Sequence, residues 1–311
     1  MKNPKVSVGL PVFNGEKYMA QAIESVLNQS FTDIELIISD NASTDSTQQI
    51  SEHYAARDPR IRYYRHEVNR GATWNFNHAF ELARGEYFNW LAHDDKLAPE
   101  FLEKCVGVLD QNPESVLCFA KFMIVDENSH PIEEFDVHLR TDSPSASQRF
   151  YDMLMVWHDC LPIFGLIRSN VLKNTPLIGA YGLGDATLLA RLSLMGRFYK
   201  IAEPLFISRR HPLQSNKKFN IWEDHHAYHR WFTPTSGKRI ILPQWEVLFD
   251  IFSMVGHSDV GFSERVACYQ GVARWSVRYR KLLLKDLAIA LKQWLSFKGL
   301  PSNPETFRDT R

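Results

Sequence analysis

Two adjacent carboxylates, Asp94 and Asp95, follow the short apolar run Tyr87-Phe88-Asn89-Trp90-Leu91, and Pro99 stands just beyond them. The run reads as a buried strand and the proline as the first turn of a helix. Carboxylates side by side repel each other unless a cation or a hydrogen-bonding ligand sits among them. Ligands of open α/β sheets bind beyond the carboxyl ends of the strands, so a divalent ion carrying a phosphate is the natural occupant. The alternative is an aspartate pair that caps the next helix. Two further acids have comparable settings. Asp40 ends the apolar run Ile34–Ile38 and enters the polar loop Ser39-Asp40-Asn41-Ala42-Ser43-Thr44-Asp45, while Asp185 follows Gly182-Leu183-Gly184 and precedes Leu188, Leu189 and Leu192. Either acid could also cap its helix, and Asp45 reads as a cap rather than a ligand.

The elements that must position these acids alternate regularly. Lys5–Leu10, Ile34–Ile38, Ile61–Tyr64, Tyr87–Leu91 and Val116–Val125 read as strands. Helical spacing marks the stretches to Asn28, Ser46–Ala56, Gly71–Ala83 and Pro99–Leu109. Strands and helices joined by short loops predict an α/β fold with a doubly wound, mostly parallel, Rossmann-like sheet. Parallel strands bring Pro11-Val12-Phe13-Asn14, Ser39-Asp40-Asn41 and His93-Asp94-Asp95 to one edge. Residues 126–147 are polar and loop-like, a helix is expected over Phe150–Trp157, and Phe198–Ile207 reads as a last strand before Ser208-Arg209-Arg210-His211-Pro212. From about Phe219 the chain reads as helical, aromatic and increasingly basic. The expected division is a catalytic domain over 1–215, with halves 1–125 and 126–215, and a helical C-terminal extension over 216–311.

Composition narrows the function. The 36 basic and 36 acidic residues cancel, which argues against a nucleic-acid partner. Four scattered cysteines form no disulfide-like pattern. No leader is recognised after Met1, and no window reaches the roughly 18 consecutive apolar residues of a membrane span. A cytoplasmic protein is expected. No GxGxxG or GxxxxGK[ST] follows the first strand, which argues against dinucleotide and P-loop sites. His225 and His229, four apart, could suit zinc but read as a solvated helix face.

Taken together, Leu10-Pro11-Val12-Phe13-Asn14-Gly15-Glu16, Ile38-Ser39-Asp40-Asn41-Ala42-Ser43-Thr44-Asp45, Asn69-Arg70-Gly71 and Trp90-Leu91-Ala92-His93-Asp94-Asp95 resemble, in order and spacing, the motifs of family 2 glycosyltransferases. The resemblance covers about the first 210 residues. It implies a GT-A fold and an inverting, metal-dependent hexosyltransferase that uses a nucleoside-diphosphate sugar, a UDP-sugar being favoured. It further implies that Pro11, Phe13, Asn14, Glu16, Asp40, Asn41, Arg70 and Asp94 contact the nucleotide sugar. Asp95 would bind Mg²⁺ or Mn²⁺ with His211 as a further ligand, and Asp185 would be the base that deprotonates the acceptor hydroxyl. Two positions depart from the family pattern: Ala92 replaces the first metal-motif acid, and Gly184 replaces the glutamate before the base. Trp157-His158-Asp159 falls in the acceptor-facing half. The Gln-x-x-Arg-Trp motif of processive members is absent, so transfer of a single sugar to a carbohydrate or lipid-linked acceptor is expected, in bacterial surface polysaccharide or glycoconjugate synthesis.

Two alternatives remain open on the sequence: a nucleotide-sugar-binding protein without catalysis, and a sugar-nucleotide pyrophosphorylase. Residues 274–298 carry seven basic side chains against the single acid Asp286, with Leu283, Leu284, Leu287, Leu291, Trp294 and Leu295 near one helical face. Such a helix could lie on the inner face of an anionic membrane, or pack on the catalytic domain or a partner subunit. A homodimer also stays open.

Overall fold

The computed structural model describes residues 3–212, 214, 225–232 and 240–298, the side chains of 295–298 excepted. The expected domain boundary near 215 lies outside these residues. Strand β1 (Val6–Val12) and strand β2 (Ile34–Asp40) are buried along their whole length, which explains their near-continuous apolar sequences. They pair in parallel, as do β2 with β3 (Ile61–Arg65) and β1 with β4 (Tyr87–Trp90). Helices α1 (Met19–Leu27), α2 (Thr47–Ala55) and α3 (Ala72–Glu81) make the returns between these strands. Val12 lies opposite Asp40 and Gly9 opposite Trp90, so the polar segments after β1, β2 and β4 emerge together.

The rest of the sheet brings distant residues to that edge. After Asp95, the two-residue strand β5 (Lys96–Leu97) leads to α4 (Phe101–Gln111), β6 (Ser115–Val125) and the antiparallel β7 (Pro131–Phe135). Next come α5 (Ala146–Met155), β8 (Leu166–Arg168), the single turn α6 (Ser169–Leu172), α7 (Gly184–Met195) and β9 (Arg197–Arg209). Among the described residues nine strands form one sheet, ordered β3-β2-β1-β4-β8-β6-β9-β5 with β7 beside β6. Strand β8 runs against both β4 and β6, whereas β6 and β9 form a long parallel pair. The expected α/β, GT-A-type layout is therefore present. β5 pairs with β9 through Lys96↔Ile207 and Leu97↔Phe206, which carries Arg209 and His211 back to Asp94 and Asp95.

Several boundaries differ from the sequence reading. The loop expected over 126–147 contains β7, whose residues are nearly all exposed and so give no alternating pattern. α4 begins at Phe101 rather than Pro99, because Lys96 and Leu97 are taken up by β9. α5 begins four residues before Phe150, where Ser145 Oγ accepts from Gln148 N.

Beyond the sheet lie α8 (His225–Phe232), α9 (Pro243–Gly256), α10 (Phe262–Arg278) and α11 (Arg280–Lys298). α9 packs on α7 and α10 on α5, with Val247, Ile251, Met254, Val255, Cys268, Val272 and Trp275 continuing the main core. The solvated face expected for His225 and His229 is overturned: they are 2% and 1% exposed. α8 is wedged between α3 and α9, so its histidines face inward. On α11 the apolar residues divide between two sides, and Leu283 is buried. Asp286 is fully buried, while Leu284, Leu287, Leu291 and Trp294 point outward. Among the described residues no helix is long and apolar enough to cross a membrane.

Candidate active site

At the carboxyl end of β4 the chain makes a tight turn, Asp95 N–H donating to Ala92 C=O at 3.1 Å. The turn holds Asp94 and Asp95 against the end of β9. Arg209 N–H donates to Asp95 Oδ1 at 2.8 Å, and His211 Nε2 lies 2.9 Å from Asp94 Oδ2. The Arg209 side chain is only 1% exposed. Its guanidinium lies over the Tyr18 ring, 4.4 Å from the centroid, and donates to Gln21 Oε1, Ser129 Oγ and Asp94 C=O. Burial, and then the charge of Asp94, pushes the Asp95 carboxyl well above the usual carboxylate range. Asp94 behaves oppositely. Burial raises it, but the His211 hydrogen bond and the neighbouring histidine charges outweigh that and leave it lowered. Asp95 is thus the one of the pair that holds a proton more tightly, and an added cation would favour its release.

The Pro11–Glu16 loop is tied to the loop after β2. Asn14, at φ 53°, donates N–H to Ser43 Oγ at 2.9 Å and accepts from Thr44 N at 2.8 Å. Glu16 Oε2 accepts from Ser46 N, and Asp45 Oδ2 accepts from Glu16 N, both at 3.0 Å. Asp45 Oδ1 also accepts from Thr47 N, a cap-like role as expected. Asn41 clamps the third segment, donating to Asn69 Oδ1 and Gly71 C=O and accepting from Arg70 N. Asp40 is 0% exposed. Its carboxylate accepts from Ser43 N and from Tyr63 O–H, both at 2.8 Å, so it braces the loop from within and does not cap α2.

On the opposite wall α7 begins at Gly184, with Leu183 at φ 73° preceding it. Asp185 is therefore within the first turn, where its Oδ1 accepts from Ala186 N at 2.8 Å, rather than the capping residue. Burial raises its proton affinity, and the Ala186 N–H only partly offsets that. His158 accepts at Nδ1 from Cys160 N and so donates from Nε2 to Met153 C=O. Burial lowers its pKa, consistent with a neutral ring. Asp159 and Cys160 both have positive φ, 51° and 54°, which turns this segment sharply into the cleft.

Gly184 departs from the family pattern for a packing reason. A Cβ there would lie 2.3 Å from Gly179 C=O and 2.8 Å from its nitrogen. Gly184→Ala is accordingly expected to destabilise the protein by about 1–3 kcal/mol, as overpacked sites do. A reversible denaturant titration checks this. Unchanged stability would mean that the Gly179–Gly184 loop relaxes freely.

Both walls line one cleft of about 1490 Å³. That exceeds the roughly 300–1,000 Å³ of small-molecule sites and suits two substrates together. Of the residues expected at the site, Pro11, Phe13, Asn14, Asn41, Asp94, Asp95, Asp185 and His211 line it. Trp157, His158 and Asp159 join them. Glu16, Asp40 and Arg70 are not among the lining residues. Arg70 lies over the Trp74 ring, 4.6 Å from its centroid. Sequence reasoning missed Tyr18 and Arg209, which shape the acid pair, and Tyr228, Trp231, Trp275 and Tyr279, which come from the C-terminal helices. The Arg209-Arg210-His211 run was the available signal for Arg209. Nothing local marks the others.

Comparison with known proteins agrees with this geometry. The profile described as Glycosyl transferase family 2 matches residues 7–173. An uncharacterised glycosyltransferase of Methanocaldococcus jannaschii is 34% identical over 176 residues, 56% of this chain and 59% of that one. Chondroitin synthase of Escherichia coli is 40% identical over 103 residues, 33% of this chain and 15% of that one. The matched segment spans 20% and 40% of the length of two rickettsial glycosyltransferases. Among solved structures, residues 1–349 of Staphylococcus aureus TarS with UDP-GlcNAc superimpose with TM-score 0.66 at 16% identity, over 93% of this chain and 81% of that one. The mannosyltransferase PcManGT of Pyrobaculum calidifontis, with GDP-Man and Mn²⁺, gives 0.55 at 14% identity, over 98% and 78%. At such identities the likeness is one of fold.

Proposed function

The chain belongs to glycosyl transferase family 2, and on that premise we propose that it is an inverting enzyme moving one sugar from a nucleoside-diphosphate sugar, a UDP-sugar being favoured, to an acceptor hydroxyl. The observation that carries the reading is the pairing of the Asp94–Asp95–His211 group with the proton-avid Asp185 in one cleft. In this reading Pro11, Phe13, Asn14 and Asn41 receive the nucleotide, while Glu16, Asp40 and Arg70 act by holding those loops in place. Asp94, Asp95 and His211 offer oxygen and nitrogen donors suited to Mg²⁺ or Mn²⁺, and the raised Asp95 is an acid short of positive charge. Such an ion, when bound, would neutralise charge on the leaving diphosphate. Asp185 takes the acceptor's proton as the hydroxyl attacks, and the raised proton affinity makes it a stronger base than a free carboxylate.

Family membership sets aside the pyrophosphorylase alternative. A thermal-shift screen of nucleoside diphosphates and their sugars with Mn²⁺, followed by detection of released nucleoside diphosphate, tests the assignment. A protein stabilised by none of these ligands would overturn it.

The proposal extends to place and acceptor. The catalytic domain is taken as 1–215 and the extension as 216–311, with the enzyme on the cytoplasmic side in surface polysaccharide or glycoconjugate synthesis. Leu284, Leu287, Leu291 and Trp294 form an outward apolar stripe on α11, flanked by the exposed Lys281, Lys285 and Lys292. This is the pattern of a helix lying in an anionic lipid interface and suits a lipid-linked acceptor. Co-sedimentation with phosphatidylglycerol vesicles is expected at low salt and should weaken as salt rises. Protein remaining in the supernatant, with a dimer in the ultracentrifuge, would reassign the stripe to a second copy.

A further inference from the structure

We propose that His225, His226 and Asp286 form a second metal site, for a zinc-class divalent ion, which ties α8 to α11 and so fixes the cleft's C-terminal wall. The three side chains are 2%, 7% and 0% exposed. His225 Nε2 and His226 Nε2 lie 2.6 and 2.9 Å from the same oxygen, Asp286 Oδ1. Ligand atoms of all three residues fall within 4.8 Å of one another.

Consecutive residues on a helix diverge by roughly 100°. Here two consecutive imidazoles, with centroids 4.6 Å apart, are nonetheless turned onto a single carboxylate oxygen. Hydrogen bonding alone does not satisfy the cluster. Among the described residues, both Nδ1 atoms and the buried Gln244 Oε1 have no hydrogen-bond partner, although Gln244 N–H donates to Asp286 Oδ2 at 2.7 Å. Two imidazoles and one carboxylate form a donor set for zinc and its neighbours in the transition series, with a fourth position for Gln244 Oε1 or water. The acid-rich cleft favours harder ions, so the two sites should sort metals differently.

The position of the cluster gives the ion a task. α8 has eight residues, too few to be stable by itself in water, where roughly 12–15 are needed. Yet it presents Tyr228 and Trp231 to the cleft. Its other end meets α3 at Thr73 Oγ1–H···O=C of Phe232, 3.4 Å. An ion at its first turn would anchor the end nearest α11.

The test uses full-length protein freed of metal and titrated with Co²⁺ as a spectroscopic substitute for Zn²⁺. One equivalent is expected to bind with a ligand-field band that excess Mg²⁺ does not displace. The band should persist in the Asp94→Asn/Asp95→Asn variant and vanish in His225→Asn/His226→Asn. Absence of the band in the unsubstituted protein overturns the proposal. So does its loss with the cleft aspartates, or its survival without the two histidines. Should the histidine variant fail to fold, X-ray absorption of Zn²⁺-loaded Asp94→Asn/Asp95→Asn protein decides. A shell with two imidazoles supports the site, and an all-oxygen shell rejects it.

Discussion

Asp185→Asn is expected to lower turnover by about 10²–10⁴-fold while leaving donor binding in place. Asparagine keeps the size of the side chain and an oxygen able to accept the Ala186 N–H that Asp185 Oδ1 now receives at 2.8 Å. What it removes is the basic oxygen. The pH profile gives a second, independent readout. Burial raises the Asp185 pKa, so the base is ionised only above a value higher than the roughly 3.9 of a free aspartate. Activity should fall as pH drops through that raised value, and this acidic limb should be missing from the residual activity of the asparagine variant. The sign for stability is the reverse. An aspartate whose proton is held more tightly in the folded state favours folding most at low pH, and that contribution fades as pH rises through the folded pKa. Equal turnover in the two proteins would leave Asp185 with only its bond to the helix backbone.

Asp95→Ala is expected to abolish the Mn²⁺-dependent stabilisation of the protein by UDP. A ligand at 100 times its Kd contributes about 2.7 kcal/mol, worth about 4 °C in melting temperature for a chain of this size. The variant should lose that shift, yet fold at least as well without ligand. Asp95 is a buried carboxylate whose proton affinity is raised by desolvation and by Asp94, a sign that its charged form is destabilising when no cation is present. Alanine leaves the Arg209 N–H without its acceptor, which limits the gain. A variant melting with UDP and Mn²⁺ as the unsubstituted protein does would move the metal to other ligands. The Co²⁺ experiment separates these cases, because the His225–His226–Asp286 cluster is distinct from the cleft.

The amino-acid sequence by itself determined the strand and helix order of the first 125 residues apart from the two-residue β5, the edge where the acids meet, and the family. Each of these is local. Buried parallel strands are written as continuous apolar runs, and the family motifs are short contiguous segments fixed to strand ends. His211 and Asp185 were named from short local segments, and both line the cleft. Only the tertiary structure decided what surrounds them. Arg209 reaches the acids because β5 pairs with β9 across more than a hundred residues, a partnership that two residues of strand cannot announce. Asp40 braces its loop because Tyr63, on the neighbouring strand, turns a hydroxyl toward it. The C-terminal helices were read as helices, with the histidine face of α8 wrongly turned to solvent and the facing of α11 left open. A helical sequence specifies its stripes, and the partner surface chooses among them. On α11 the buried histidines of α8 draw Asp286 inward and leave the leucine stripe to face outward.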